Sequence, residues 1–208
     1  MADLPFSPAA PGIAERLAAC LDIEEKIPRA LEALGPVADR DVVLVDGDGG
    51  RRAAQLTELG ARVRSLPVSA PGERLAAADG SADVVVGLWS TFRAPSGHEV
   101  VEADRVLRPD GRLLVVHDYG RDEVSRLRGD LPEYGAWSRR DGWYLTNGFR
   151  IRVIHCFWTF ESIEEARAFL GDVFGEAGER VGESLKRPRL SYNVAIYHRT
   201  RGGAEPRA

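Results

Sequence analysis

Apolar positions along this chain follow two rhythms, one helical and one of short unbroken runs. Ile13, Leu17 and Leu21 recur at helical spacing, and Ile27, Leu31 and Leu34 repeat the pattern after a joint near Asp22. Pro28 suits the first turn of that second helix, and Gly35-Pro36 stops it. "DVVLV" (Asp41–Val45) is a continuous valine-rich run, which is how a strand buried on both faces reads. A glycine loop follows, then "RRAAQLTEL" predicts a helix closed by Gly60, and "ARVRSL" (Ala61–Leu66) predicts a second strand. Strand, glycine-rich turn, helix and strand within about 30 residues form a βαβ unit with a right-handed crossover.

"ADVVVGLW" (Ala82–Trp89) predicts another buried strand after the turn Asp79-Gly80-Ser81. A helix over 97–107 ends at "RPDG" (Arg108–Gly111), a turn, before the strand "RLLVVHD" (Arg112–Asp118). Strands alternating with helices imply an open α/β sheet, mostly parallel, with helices on both faces. Residues 119–148 are polar, aromatic and turn-rich, a lid-like segment. Ile151, Val153 and His155 alternate with Arg150, Arg152 and Ile154, predicting a strand over Phe149–Phe160. Ser162 with Glu165 three residues later is a capping box opening the helix "SIEEARAFLGDVFGEAG". Leu190–Thr200 predicts the last strand, so that an antiparallel pair finishes the sheet. Residues 1–11 and 201–208 read as disordered ends around one domain spanning 12–200.

Composition narrows the function classes. A chain of 208 residues, 44% hydrophobic, suffices for one well-buried domain. A formal net charge of −4 offers no basic surplus for nucleic acid or a membrane surface. Cys20 and Cys156 lack metal-ligand spacing and read as free buried thiols, so no metal site is expected. The N-terminus has no basic n-region, and no apolar run reaches the roughly 20 residues of a membrane span. A cytoplasmic protein with a small-molecule substrate is the expectation, as a homodimer or beside a partner subunit.

"ADGSADVVVGLWSTF" followed by "VEADRVLRPDGRLLVVHDYGRDE" resembles the middle of class I S-adenosylmethionine-dependent methyltransferases. There a "DGSFDVVV" turn and strand lead through a helix to "RVLRPGGRLLVV". The resemblance runs from about Val42 to Asp118 and implies a Rossmann-like seven-stranded sheet, mostly parallel, with an antiparallel C-terminal strand. It implies S-adenosyl-L-methionine as cofactor, set against Asp46, Gly47, Asp48 and Gly49, against Leu66, and against Leu88 and Trp89. The chain departs from the family pattern in the same motifs. Arg51 takes the place of the third glycine and Val45 that of the acid closing the first strand. Leu66 or Pro67 stands where a carboxylate should meet the ribose, and Pro71 near the place of the adenine-binding aspartate, with Glu73 the nearest acid. Each lost charged hydrogen bond costs about 1.5–3 kcal/mol, so two lower affinity by about two to four powers of ten. Arg51 and Arg52 add positive charge at a helix N-terminus, near the expected sulfonium. The spacing for a dinucleotide loop or a phosphate-binding P-loop is absent.

Ligands of open parallel sheets bind beyond the carboxyl ends of the strands. There "HDYGRD" offers His117 or Asp118 as a general base with Tyr119 positioning the acceptor. The plain alternative is a surface ion pair between Asp118 and Arg121. Trp89, Trp137, Trp143 and Tyr144 either wall a substrate site or pack the interior, and His155 and His198 read as packing or surface residues. Two functions therefore stand open. One is a methyltransferase acting on a small molecule; the other is a catalytically inactive protein of that fold, serving as a binding module or partner subunit.

Overall fold

A computed structural model describes residues 4–5, 12–45, 50–67, 73–93, 97–129 and 132–202. Its strands are β1 (Asp41–Val45), β2 (Arg62–Leu66), β3 (Ala82–Gly87), β4 (Leu107–Asp118), β5 (Arg150–Thr159) and β6 (Arg189–Thr200). They form one six-stranded sheet in the order β2-β1-β3-β4-β6-β5. The β1–β2, β1–β3 and β3–β4 pairings are parallel, while β6 runs antiparallel to both its neighbours. The C-terminal pair is therefore antiparallel as expected, but the last strand inserts between β4 and β5 and leaves β5 at the edge.

Strand alternation sends successive side chains to opposite faces. Leu44, Val86, Leu114 and Val116 meet helices α1 (Ile13–Cys20), α2 (Lys26–Leu34), α3 (Arg51–Glu58) and α8 (Ile163–Phe174). Val43, Val85, Leu113 and Val115 meet α4 (Gly97–Val106) on the other face, together with Trp137 and Tyr144. Those two aromatics come from the lid-like segment, which folds into three short helices, α5 (Glu123–Arg128), α6 (Pro132–Ser138) and α7 (Trp143–Thr146).

Three features differ from the sequence-based expectation. Arg108–Gly111 is a bulge inside β4 rather than a turn before it. Leu107 pairs with Ala82 and Arg112 with Val84, so four residues lie opposite Asp83 alone. The Asp83 carboxylate accepts from Arg108 at 2.9 Å, and a Cβ on Gly111 would stand 2.9 Å from the Arg108 carbonyl. The long C-terminal helix breaks at Gly175, whose φ is +57°, and continues as α9 (Glu176–Ser184). Finally, the described residues hold six strands and not seven. After β2 the chain is pinned by Arg105 of α4, which donates to the Leu75 and Ala77 carbonyls at 3.1 and 2.9 Å and to Asp79 at 2.6 Å. No helix among the described residues is long and apolar enough to cross a membrane.

Candidate functional site

The carboxyl ends of β1, β3 and β4 converge where ligands of such sheets bind. Asp46, Gly47, Asp48 and Gly49, expected against the cofactor, lie outside the described residues. Leu66 closes β2 with 6% of its surface exposed, packed in the apolar cluster beneath α4. Pro67 follows it. The end of β2 therefore presents no carboxylate to a ribose.

Gly87 closes β3 in a tight turn, where an added Cβ would meet the Thr91 hydroxyl at 2.6 Å and the Phe92 ring at 2.9 Å. The turn turns Trp89 inward, 2% exposed, and Leu88 is wholly buried beside it. The Trp89 indole N–H donates to Asp118 Oδ1 at 2.9 Å.

Asp118 is the hub of a buried polar cluster. Beyond Trp89, its carboxylate accepts from the Tyr192 hydroxyl and from the Arg128 guanidinium. Burial first, and the adjoining carboxylate second, push the Tyr192 phenol well above its ordinary range. The Asp118 partner is thus Arg128 of α5 and not Arg121, whose guanidinium lies over the Tyr119 ring at 5.5 Å.

His117 occupies the opposite face. Its imidazole lies 4.5 Å from the Trp137 ring, and its Nε2 is 3.2 Å from the Tyr144 hydroxyl. That hydroxyl donates to the Phe92 carbonyl at 2.7 Å, so it accepts from Nε2–H and fixes the tautomer. Nδ1 is left buried without a partner among the described residues. Burial, with the charge of Arg93 adding to it, lowers the His117 pKa to about 3. His117 and Asp118 therefore cannot serve one acceptor together: they are adjacent residues of a strand and face different cores. Tyr119 is half-buried, donates its N–H to the Asn193 carbonyl at 2.9 Å, and packs with the His117 side.

The two arginines after the glycine loop do not surround an open site. Arg51 Nη1 donates to the Ala18 and Leu21 carbonyls, the latter at 2.8 Å, and so caps the C-terminal end of α1. Arg52, 1% exposed, lies 3.6 Å from the Asp22 carboxylate, donates to Gln55 at 2.8 Å, and sits over the Trp89 ring at 5.9 Å. Asp22 in turn accepts from the Lys26 and Ile27 amides at 3.0 and 2.9 Å, holding the start of α2. Sequence reasoning missed Asp22, Arg128 and Tyr192 because each reaches the cluster from a distant element. Two arginines at a helix N-terminus, where the dipole disfavours cations, were the available signal that a carboxylate had to lie opposite.

Trp137 and Tyr144 are buried and Trp143 half-buried; with Phe149 and Tyr197 they form a packed aromatic cluster rather than a wall. Tyr144 stacks on Tyr197 at 4.1 Å. His155 is exposed and 2.8 Å from Asn193, and His198 is half-buried. Both cysteines are free and buried, and no group of three metal-ligating side chains occurs among the described residues.

Neither a family model nor a curated protein sequence matches this chain. Solved structures do. A protein from Anaeromyxobacter dehalogenans assigned as a type II methyltransferase aligns over 94% of this chain and 98% of its own, with a TM-score of 0.57 and 19% identity. One from Anabaena variabilis, assigned as a methyltransferase of an antibiotic biosynthesis pathway, aligns over 86% and 98%, with a TM-score of 0.50 and 14% identity. At such identities the likeness concerns architecture: this chain has the class I S-adenosylmethionine-dependent methyltransferase fold.

Proposed function

We propose that this chain is a non-catalytic member of the methyltransferase fold, working as a binding module or partner subunit. One observation carries the reading: the groups expected to do chemistry at the carboxyl edge are consumed in packing. Asp118 accepts from three donors, and His117 is sealed among aromatic rings as a very weak base on the other face. A general base works best with a pKa near the operating pH, which the buried His117 does not offer.

The cofactor does not fit the described residues either. A ribose held at the end of β2 would meet the apolar Leu66, and the Arg52 guanidinium is already neutralised by Asp22 over Trp89. Thermal melts with 1 mM S-adenosylmethionine or S-adenosylhomocysteine test this. A ligand at about 100 times its Kd stabilises by about 2.7 kcal/mol, which moves the melting temperature by about 5–10 °C in a chain of this size. The proposal expects an unchanged melt. A shift of that size would restore the methyltransferase acting on a small molecule as the better reading.

A further inference from the structure

The sheet ends in β5, and only half of its outer edge is covered. The Phe157 carbonyl accepts from the Asp22 amide at 3.1 Å, and the His155 carbonyl from the Lys26 ammonium at 3.1 Å. Main-chain groups of a strand point alternately to its two sides, so those of Val153 and Ile151 face outward as well. No backbone group outside the sheet meets them among the described residues. This free stretch borders a groove of about 530 Å³ between α2 and β5. Ala30, Leu34 and Ile154 floor it, Lys26, Arg29 and Arg152 rim it, and no carboxylate lines it. Arg152 has no ion pair among the described residues, and Arg29 reaches only the Glu25 carbonyl at 3.1 Å. Lys26 shares its charge with Glu24 at 2.5 Å. Lys26 and Arg29 also stand in the first turn of α2, where the helix dipole disfavours cations.

We infer that the free half of β5 and its basic groove dock an acidic, extended segment of a partner protein, which adds to the sheet as a seventh strand. Main-chain bonding to Ile151 and Val153 supplies the pairing, and the Arg29 and Arg152 cations select the partner by charge. The same charges argue against a second copy of this chain. Antiparallel pairing of β5 with itself about Ile151 sets Arg150 against Arg152 of the other copy, and β2, the other edge strand among the described residues, carries Arg62 and Arg64. The inference is independent of whether the fold binds a cofactor.

The test uses the full chain and a fluorescein-labelled ten-residue peptide alternating glutamate and valine, with a lysine–valine peptide as control. Anisotropy reads affinity, and hydrogen exchange reads protection of the Ile151 and Val153 amides. The expected result is binding of the acidic peptide alone, weakened at least tenfold by 0.5 M salt and by the exposed charge reversals Arg29→Glu with Arg152→Glu, with both amides newly protected. Val153→Pro, which removes one outward N–H on an edge, lowers affinity without altering the charge. Equal affinity for both peptides, no binding of either, or binding without amide protection overturns the proposal. So does protection of these amides in a dimer formed without peptide, which assigns the edge to a second copy.

Discussion

His117 makes the cost of burying a titratable group measurable. The unfolded chain takes up a proton near pH 6.5, while native His117 refuses it until about pH 3. Stability from this group is thus complete above pH 6.5 and falls by about 1.4 kcal/mol per pH unit as pH drops between those values. Urea denaturation between pH 6 and 4 should therefore show a slope shallower by one proton in His117→Phe, which keeps the Tyr144 bond to Phe92. An unchanged slope would mean that the imidazole is open to solvent. Asp118→Asn has a different expected signature. It leaves the Arg128 guanidinium, 12% exposed, facing an uncharged amide. The loss is about 3 kcal/mol, or about 6–12 °C in melting temperature. That "HDYGRD" sits at a strand's carboxyl end was legible from the sequence. The two-residue period of strands already separates His117 from Asp118, but the donors that occupy Asp118 come from α5 and β6, and no local pattern announces them. The same distance explains Arg51: its partners are the Ala18 and Leu21 carbonyls at the end of α1, so a substitution to glycine would uncap that helix.

Elements with a local signature were legible. The cap at Ser162 is realised, its hydroxyl accepting from the Glu165 amide at 3.0 Å, while the Glu165 carboxylate accepts from the Glu161 amide at 2.7 Å, one residue before the one a capping box uses. Ser162→Ala should cost about 1 kcal/mol and show in thermal melts as a loss of about 2–4 °C. A loss below half a degree would mean that tertiary packing alone starts α8. Gly87→Ala should cost more, about 1–3 kcal/mol, because the new methyl meets the Thr91 hydroxyl at 2.6 Å. Helices α5, α6 and α7 were not legible as helices. They are four to seven residues long; α6 and α7 are held by Trp137 and Tyr144 packing on the sheet, a tertiary cause, while α5 starts at Asp122, whose carboxylate accepts from the Ser125 amide at 2.7 Å. The bulge at Arg108–Gly111 was similarly hidden, since proline and glycine punctuate a turn and a bulge alike.

At the scale of the whole molecule, the hydrophobic pattern sufficed for the class of fold, because buried parallel strands read as unbroken valine runs. The place of β6 between β4 and β5 did not follow from periodicity, which predicts only an antiparallel pair finishing the sheet. The architecture is that of class I methyltransferases, and among the described residues its carboxyl edge carries the Asp22–Arg52 and Asp118–Arg128 pairs on one face and His117 with its aromatic cluster on the other. Those groups hold the N-terminal helices and α5 to the sheet. In the proposed reading the described part of this edge is interior, and binding takes place on other surfaces. Isothermal titration calorimetry of the purified chain with S-adenosylhomocysteine tests that claim most directly. The account predicts no binding heat up to millimolar ligand; a saturable isotherm with a micromolar Kd would contradict it.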